Sequence, residues 1–435
     1  MFLARFVGKE PFHATSNVLT FNYVKWLRMF IMPIGIWPGE EFGEKMSLFV
    51  RCHRYYYIIQ GVILLAAQYY FIEKYFDTMT FFLKGYNYLV FLLTFLTWAR
   101  ICTTTQNSYG TVVKTFINTL HLAHRKLNNG YERLVFNIVE MVSFVFCASI
   151  VIISSTAFCL FSAAPMVVNY RNGFFTEGVI PNATYNCIVC FTIPKIIDTH
   201  DFSVVGTLYT VWLGFACTTA VCGMDILVAL MALQLIANIL VLRNRLDTLT
   251  ATKLTDDKET SEETYVDAQT TSVVAFNKEE NKIIHDKLVD CIEHHKMISM
   301  FTDMMSSFFG PVLGINYGFH LIACCLLLLE CGGGTDALFR FGPMTLIIFG
   351  QLVLLSVVFE IVATVSEKLP NSVYATPWYR MDAKNRRTVF IMLMRSQRTI
   401  SITALGMTNV GVTTMAQILK ATASYYALLT SINNN

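Results

Sequence analysis

Cys291 and His295 lie four residues apart, with His294 adjacent, in a stretch patterned as helix. That spacing puts a thiol and an imidazole on one helical face, the start of a metal site. A zinc centre needs more ligands at comparable spacing, and none follows. Packing and hydrogen bonding between helices is the plainer reading. Cys187 and Cys190, and Cys331 in a later connection, are disulfide candidates if they face an oxidising compartment. Asp225, Glu140, Glu360 and Lys420 stand in or at the ends of long apolar runs, where an ionisable group is a functional candidate by default. Asp225 suits a structural hydrogen bond or helix end better than ion coordination. Glu140 and Glu360 suit snorkelling to a membrane surface. The chain has no GxxxxGK[ST], GxGxxG, GxSxG or HExxH. With no paired nucleophile and base either, no enzyme activity, cofactor or metal is expected.

Composition says what must position these residues. Of 435 residues, 54% are hydrophobic and 14% charged, with 34 Phe and 19 Met. A soluble domain has about 45–50% apolar and about 25% charged residues. The apolar excess replaces charge, which excludes a disordered chain, a collagen-like chain and a small disulfide scaffold. A polytopic, all-α membrane protein remains. A net charge of +3 makes no case for nucleic acid as partner. The opening MFLARFVGKEPF has no apolar core of signal-peptide length, so insertion is expected from an internal segment.

Seven runs are long and apolar enough to span a bilayer: about 55–72, 79–99, 136–164, 203–236, 306–329, 341–359 and 399–430. Backbone groups in lipid must be satisfied internally, so each is expected as a helix. Their Lys and Arg content sets direction. The N-terminal segment and the second, fourth and sixth connections hold 27 of the 33 basic residues, and the other side holds four. The N-terminus is therefore expected in the cytoplasm and the C-terminus outside. The Asn182-Ala-Thr184 sequon falls on the external side, where glycosylation occurs. G-protein-coupled receptors run the opposite way. Their Asp-Arg-Tyr and Asn-Pro-x-x-Tyr signatures are missing here. Such a receptor stays as an alternative reading, and a transporter as a more distant one, since Gly310-Pro311 and Gly314 interrupt the fifth run.

The chain thus divides into five parts. Residues 1–54 form a cytoplasmic N-terminal segment, with an interfacial amphipathic helix within 18–36. Residues 55–236 hold spans one to four, and 237–305 a cytoplasmic extension with an acidic linker at 253–280. Residues 306–430 hold spans five to seven with a cytoplasmic loop at 360–398, and 431–435 form an external tail. Apolar positions continue past the fourth span and before the fifth at helical spacing. Those helices are expected to project and pack on each other and on the 366–398 loop. A cytoplasmic module without a catalytic motif suggests assembly.

Aromatic and small residues crowd the outer halves of several spans: Phe81, Phe82, Tyr86 and Tyr88; Ser149, Ile153, Ser154 and Phe158; Tyr209 and Trp212; Met344 and Phe349. Together they suit an apolar cavity for a small volatile or lipid-like ligand. Interhelical packing and an aromatic belt would use the same residue types.

Several motifs, in order, resemble the insect odorant receptor family. They are Gly35-Ile-Trp-Pro38, Leu288-Val-Asp-Cys-Ile-Glu-His-His295, Ser372-Val-Tyr-Ala-Thr-Pro-Trp-Tyr379 followed by Arg386-Arg387 and Met394-Arg-Ser-Gln397, and a C-terminal QILKATASYYALLTS from Gln417 to Ser431. Each is loose, and the order with the reversed topology makes the set specific. The resemblance implies an odorant-gated, nonselective cation channel in the plasma membrane of olfactory sensory neurons. It implies a tuning subunit that forms a hetero-tetramer with a shared odorant co-receptor subunit, held by a cytoplasmic anchor of helices four to seven. Odorant would bind between spans two, three, four and six, at Phe82, Tyr86, Ser149, Ile153, Phe158, Tyr209, Trp212, Met344 and Phe349. A pore along the last span would carry its gate at Leu428, with Ser431 and Ile432 at the outer mouth. Gustatory receptors, a related alternative, end in a pattern from which Ser424-Tyr425 and the residues after it depart.

Overall fold

The computed structural model describes residues 17–175, 185–199, 201, 204–249, 275–332, 334–406 and 408–433. Asn182, residues 253–274 of the acidic linker and the side chain of Ile432 lie outside the described set. The chain is mostly helical: α1 Asn22–Ile31, α2 Leu48–Tyr75, α3 Phe81–Thr104, α4 Asn107–Thr115, α5 Gly130–Arg171, α6 Val204–Asp247, α7 Lys278–Cys331, α8 Thr335–Glu367, α9 Leu369–Tyr374, α10 Ala383–Ser396 and α11 Val412–Asn433. Two short antiparallel hairpins, β1–β2 (Thr192–Ile193, Ile197–Asp198) and β3–β4 (Thr403–Ala404, Thr408–Asn409), complete it.

Local chemistry accounts for several helix starts. The side chains of Ser47, Thr80, Asn129 and Asp382 each accept from a backbone N–H of the first turn they precede. Asn277 and Glu280 form a reciprocal capping box at the start of α7, with both bonds at 2.8 Å. Six helices, α2, α3, α5, α6, α7 and α8, are long and apolar enough to cross a membrane. The last, α11, has 22 residues and falls outside that set.

The central column is α6, where every residue from Thr219 to Ala232 is buried. Helices α1, α3, α5, α7, α8 and α9 pack around it. Beyond the core, α6 and α7 run on as long helices and meet α9 and α10. Asn385 ties that region together. Its amide donates to Asn281 O at 2.8 Å, while its own side-chain oxygen lies 3.0 Å from His285 Nδ1. Two hydrogen-bonding asparagines on facing helices set a register that apolar packing alone leaves loose.

Two expectations are corrected here. The run at 399–430 is not one helix: Thr403–Ala404 and Thr408–Asn409 pair as β3–β4, and helix starts at Val412. Ile400, Ile402 and Ala404 are buried in alternation, which is a strand period. The hairpin docks where α7 carries Gly310 and Gly314. A Cβ at Gly310 would sit 2.7 Å from Thr403 O, and one at Gly314 2.4 Å from Leu405. The Gly-Pro-x-x-Gly stretch is therefore a docking seat on an unbroken helix. Second, Glu140 does not snorkel. It is 6% exposed, 3.3 Å from His121 Nε2 and 3.4 Å from Gln234 Nε2. A carboxylate keeps to an interior when polar partners replace water there. Within 18–36 the helix is α1, and protein covers its apolar face. Tyr23, Val24, Leu27 and Ile31 are buried against α5 and α6. Next to it, Trp37 is fully buried and Gly35 takes φ 75°, with Val50 O 3.0 Å from where a Cβ would lie.

Candidate functional site

A cavity of about 150 Å³ lies inside the bundle, walled by α2, α3, α5, α6 and α8 and closed by Ile188 and Val189 of the connection before β1. Its lining is largely apolar, with Leu64, Val90, Leu93, Ala157, Leu213 and Ile348 among it. The rings of Tyr57, Trp98, Phe158 and Phe161 surround the space. Apolar space of this size takes a guest about as large as benzene.

Small residues make the room. A Cβ at Gly61 would lie 2.6 Å from the Trp98 ring, and one at Gly214 3.1 Å from Phe158. Both glycines let a ring from a neighbouring helix lean across the backbone. Thr97 donates to Leu93 O at 2.7 Å and lies 3.1 Å from Cys217 Sγ, so its hydroxyl is turned into the wall.

Below this cavity, Arg100 is buried at 1% exposure. Its guanidinium lies 3.0 Å from Asp225 Oδ1 and 2.7 Å from Asn316 Oδ1, and it donates to Val221 O. Val221 and Cys222 both line the cavity. The ion pair joins α3 to α6, and Asn316 brings in α7, beside the cavity wall. Arg100 belongs to α3 rather than to the connection after it.

A second, open cleft of about 720 Å³ lies between α3, α5 and α8, at the end carrying the β1–β2 hairpin. Phe82, Tyr86, Leu160, Arg171 and Phe341 line it. Three rings separate cleft from cavity. Tyr86 and Phe161 are 6.4 Å apart, Tyr86 and Phe341 5.7 Å, and Phe161 and Phe341 6.4 Å. The Tyr86 hydroxyl donates to Ile188 O, within the loop closed by the Cys187–Cys190 disulfide. Cys331 is not in that bond. It is a free thiol with its sulfur 3.3 Å from Thr345 Oγ1.

The residues singled out from the sequence are therefore dispersed. Phe158 and Met344 line the cavity, and Phe82 and Tyr86 line the cleft. Tyr209, Trp212 and Phe349 pack half-buried in the adjoining clusters. Ser149 and Ile153 are exposed on the other side of α5. Helix α2 supplies Tyr57, Gln60, Gly61 and Leu64, which the sequence reading passed over. Their signal was Gln60 and Gly61 inside an apolar run, a polar group and a gap side by side in sequence. Cys291 is buried and His294 lies 2.9 Å from Asn238 Oδ1. Among the described residues no group of three or more His, Cys, Asp or Glu side chains stands ready for a metal ion.

Comparison with known proteins places this architecture. The family model described as 7tm Odorant receptor matches residues 78–423, well over half the chain. This chain belongs to the odorant receptor family. That is a family of receptors rather than enzymes. The receptor is 24% identical over 144 residues to Odorant receptors 85b and 85c of Drosophila melanogaster, a match covering 33% of its length and 37% of theirs. Its fold is similar to the olfactory receptor OR5 of Machilis hrabei, with TM-score 0.72 and 14% identity over 95% of this chain and 99% of that one. The OR5 complex with eugenol matches equally, over 96% of this receptor and all of that chain.

Proposed function

We propose that this receptor is a tuning subunit of a ligand-gated, nonselective cation channel. A small apolar ligand occupies the central cavity, α11 is the seventh span, and its free face lines the pore. The observation that carries this reading is the pattern on α11. Ile418 and Thr422 are buried on one side, where the helix packs on α7 and α8. Gln417, Lys420, Ser424, Leu428 and Ser431 are exposed, spaced three, four, four and three apart on one face. Polar and charged groups in a bilayer turn toward water or partner protein rather than lipid. A stripe of this kind suits a water path shared by several subunits. Leu428, 55% exposed in the single chain, would form the apolar ring that closes it by excluding water.

Helix α8 connects the two sites. Met344 and Gln351 line the cavity, and further along Glu360 accepts from Val412 N at 3.0 Å, at the first residue of α11. A ligand that favours one placement of α8 would thereby favour one placement of α11. The orientation with a cytoplasmic N-terminus, and a cytoplasmic anchor of α7, α9, α10 and the end of α6, belong to the same proposal. So does assembly with a co-receptor as a hetero-tetramer.

The test is recording from cells that express this chain with an odorant co-receptor. The expected result is ligand-evoked cation current with both chains and little with this chain alone. Silence toward a broad panel of volatiles, with both chains at the surface, would overturn the reading. So would an N-terminal tag that is labelled on intact cells.

A further inference from the structure

We infer that the four-residue ring Cys187-Ile188-Val189-Cys190 sets which ligands the central cavity accepts. Ile188 and Val189 are its specificity-determining residues, and the disulfide between the flanking cysteines positions them. This rests on the receptor reading above and deepens it to how the site selects.

Among the described residues, Ile188 and Val189 are the two that line the cavity from outside a helix. They are also the two that the Cys187–Cys190 bond encloses. Both belong to the buried cluster that holds Leu64, Val90, Leu213 and Ile348 of the cavity wall. A loop against a ligand space can be a loose flap or a fixed wall, and its anchors decide which. Before the ring, Asn186 N donates to Asn169 Oδ1 of α5, and Asn169 Nδ2 donates to Asn186 O, both at 2.8 Å. After it, Phe191 N donates to Thr199 Oγ1 at 2.8 Å, and Thr199 N donates back to Phe191 O at 3.1 Å. Next to Thr199, Asp198 accepts from Lys74 Nζ at 2.7 Å and from the Tyr75 hydroxyl at 2.8 Å, both of α2. Within the ring, Ile188 O accepts from the Tyr86 hydroxyl of α3. Three helices thus hold one short loop, and the disulfide closes it on itself.

None of these anchors uses the side chain of Ile188 or Val189. On the loop they use the backbone of Asn186, Ile188 and Phe191, the side chains of Asp198 and Thr199, and the two flanking cysteines. Either enclosed side chain can therefore change in size without unseating the loop. The helical wall has less freedom, as Gly61 and Gly214 show: a Cβ at either would meet the ring of a neighbouring helix at 2.6 and 3.1 Å. Binding residues fall by preference on loops that a rigid scaffold positions. In an apolar cavity about the size of benzene, one methylene more or less changes binding by about tenfold or more. Side-chain volume at two positions is then enough to fix the longest ligand that fits. A wall that holds its place makes that limit sharp, because a guest that is too long cannot push it aside.

The test reads thermal stabilisation of the purified full chain by two homologous series, alkylbenzenes from toluene to butylbenzene and acetates from ethyl to hexyl. Each series is expected to reach a limiting length, beyond which the effective concentration rises about tenfold per added carbon. Ile188→Ala and Val189→Ala should move that limit up by about one or two carbons, and Val189→Leu should move it down. Opposite shifts from smaller and larger side chains are a readout that a general loss of stability cannot give. Cys187→Ser/Cys190→Ser is expected to flatten the rise in both series. Reduction of the unmodified chain should do the same and add nothing to the double variant. If the double variant does not fold, reduction of the unmodified chain carries that arm. A limit that stays in place in all three side-chain variants overturns the inference and leaves the receptor reading standing. So does a limit that moves the same way with smaller and larger side chains, or one that survives loss of the disulfide unchanged. Stabilisation by no compound of either series also overturns it. The receptor reading falls as well only if a broad panel of volatiles evokes no current from the full chain with a co-receptor.

Discussion

Arg100 and Asp225 face each other at 3.0 Å, 1% and 8% exposed at their side chains, beside the wall of the central cavity. Each comes from a different long helix, and Asn316 of α7 accepts from the same guanidinium at 2.7 Å. Breaking such a pair strands a charge, which costs more than the pair itself contributes. Asp225→Leu or Arg100→Leu alone is therefore expected to destabilise the protein by about 3–5 kcal/mol. The double variant Arg100→Leu/Asp225→Leu should recover much of that loss. Thermal unfolding of the purified chain checks this, and additive losses in the double variant would refute it.

Glu360 holds the start of α11. Its carboxylate accepts from Val412 N at 3.0 Å, and a Cβ at Gly411 would lie 2.5 Å from Glu360 Oε2. Glu360→Ala removes a cap-like bond worth about 1 kcal/mol. The expected outcome is a smaller maximal ligand-evoked current with little change in ligand affinity, read from dose–response curves beside direct binding. Gly411→Ala should do the same by displacing the carboxylate. A variant that loses binding and current in parallel would contradict the proposed link from α8 to α11.

The ring triad of Tyr86, Phe161 and Phe341 divides the open cleft from the cavity. Phe161→Ala opens that division. Faster onset and faster washout of the response are expected, with equilibrium affinity altered less than either rate. Tyr86→Phe keeps the ring and removes the bond to Ile188 O, so its effect on the rates should be smaller. Unchanged kinetics in Phe161→Ala would mean that ligand enters by another path.

Acid should weaken the extension of α6 and α7. Asn238 gives its amide to Leu120 O and Gln234 O, both at 2.8 Å, so its oxygen accepts from His294 Nε2–H. Burial first, then the positive charge of Arg125 and Arg245 and the neighbouring His295, hold His294 well below the usual imidazole range. The unfolded chain takes up this proton at about pH 6.5 and the folded chain does not. Above that pH both states are neutral and the residue contributes nothing to pH dependence. As pH falls through about 6.5, the unfolded state binds more protons and stability is lost, at up to about 1.4 kcal/mol per pH unit. The melting temperature is expected to fall between about pH 7.5 and about pH 5.5, and His294→Gln to fall less steeply. A variant that tracks the parent across that range would remove His294 from the explanation.

Much of the architecture was legible in residue order. Six apolar runs became six long helices, because length and hydropathy reside in consecutive residues. The helical continuation of α6 and α7 beyond the apolar runs was readable from the spacing of Leu and Ile, and the pairing of Cys187 with Cys190 was open to their close spacing. The short helix α4 was not, since nine residues give periodicity too little length to show.

Side-chain direction around a buried helix is where residue order stops informing. Along α5, Ser149 and Ile153 have the same character as Ser154 and Phe158, yet the first two face outward and the last two line the cavity. In an apolar run every face is apolar, so hydropathy cannot tell which face meets a partner. Glu140 and Arg100 show the same boundary for charge. Glu140 read as a snorkelling helix-end residue and Arg100 was not singled out, and each found partners on other segments, His121 and Gln234 for one, Asp225 and Asn316 for the other. Composition and order therefore establish a helical membrane architecture and a family resemblance. The cavity and the ion pair beside it arise from how the helices are rotated against one another, a matter of packing between segments that no single segment encodes.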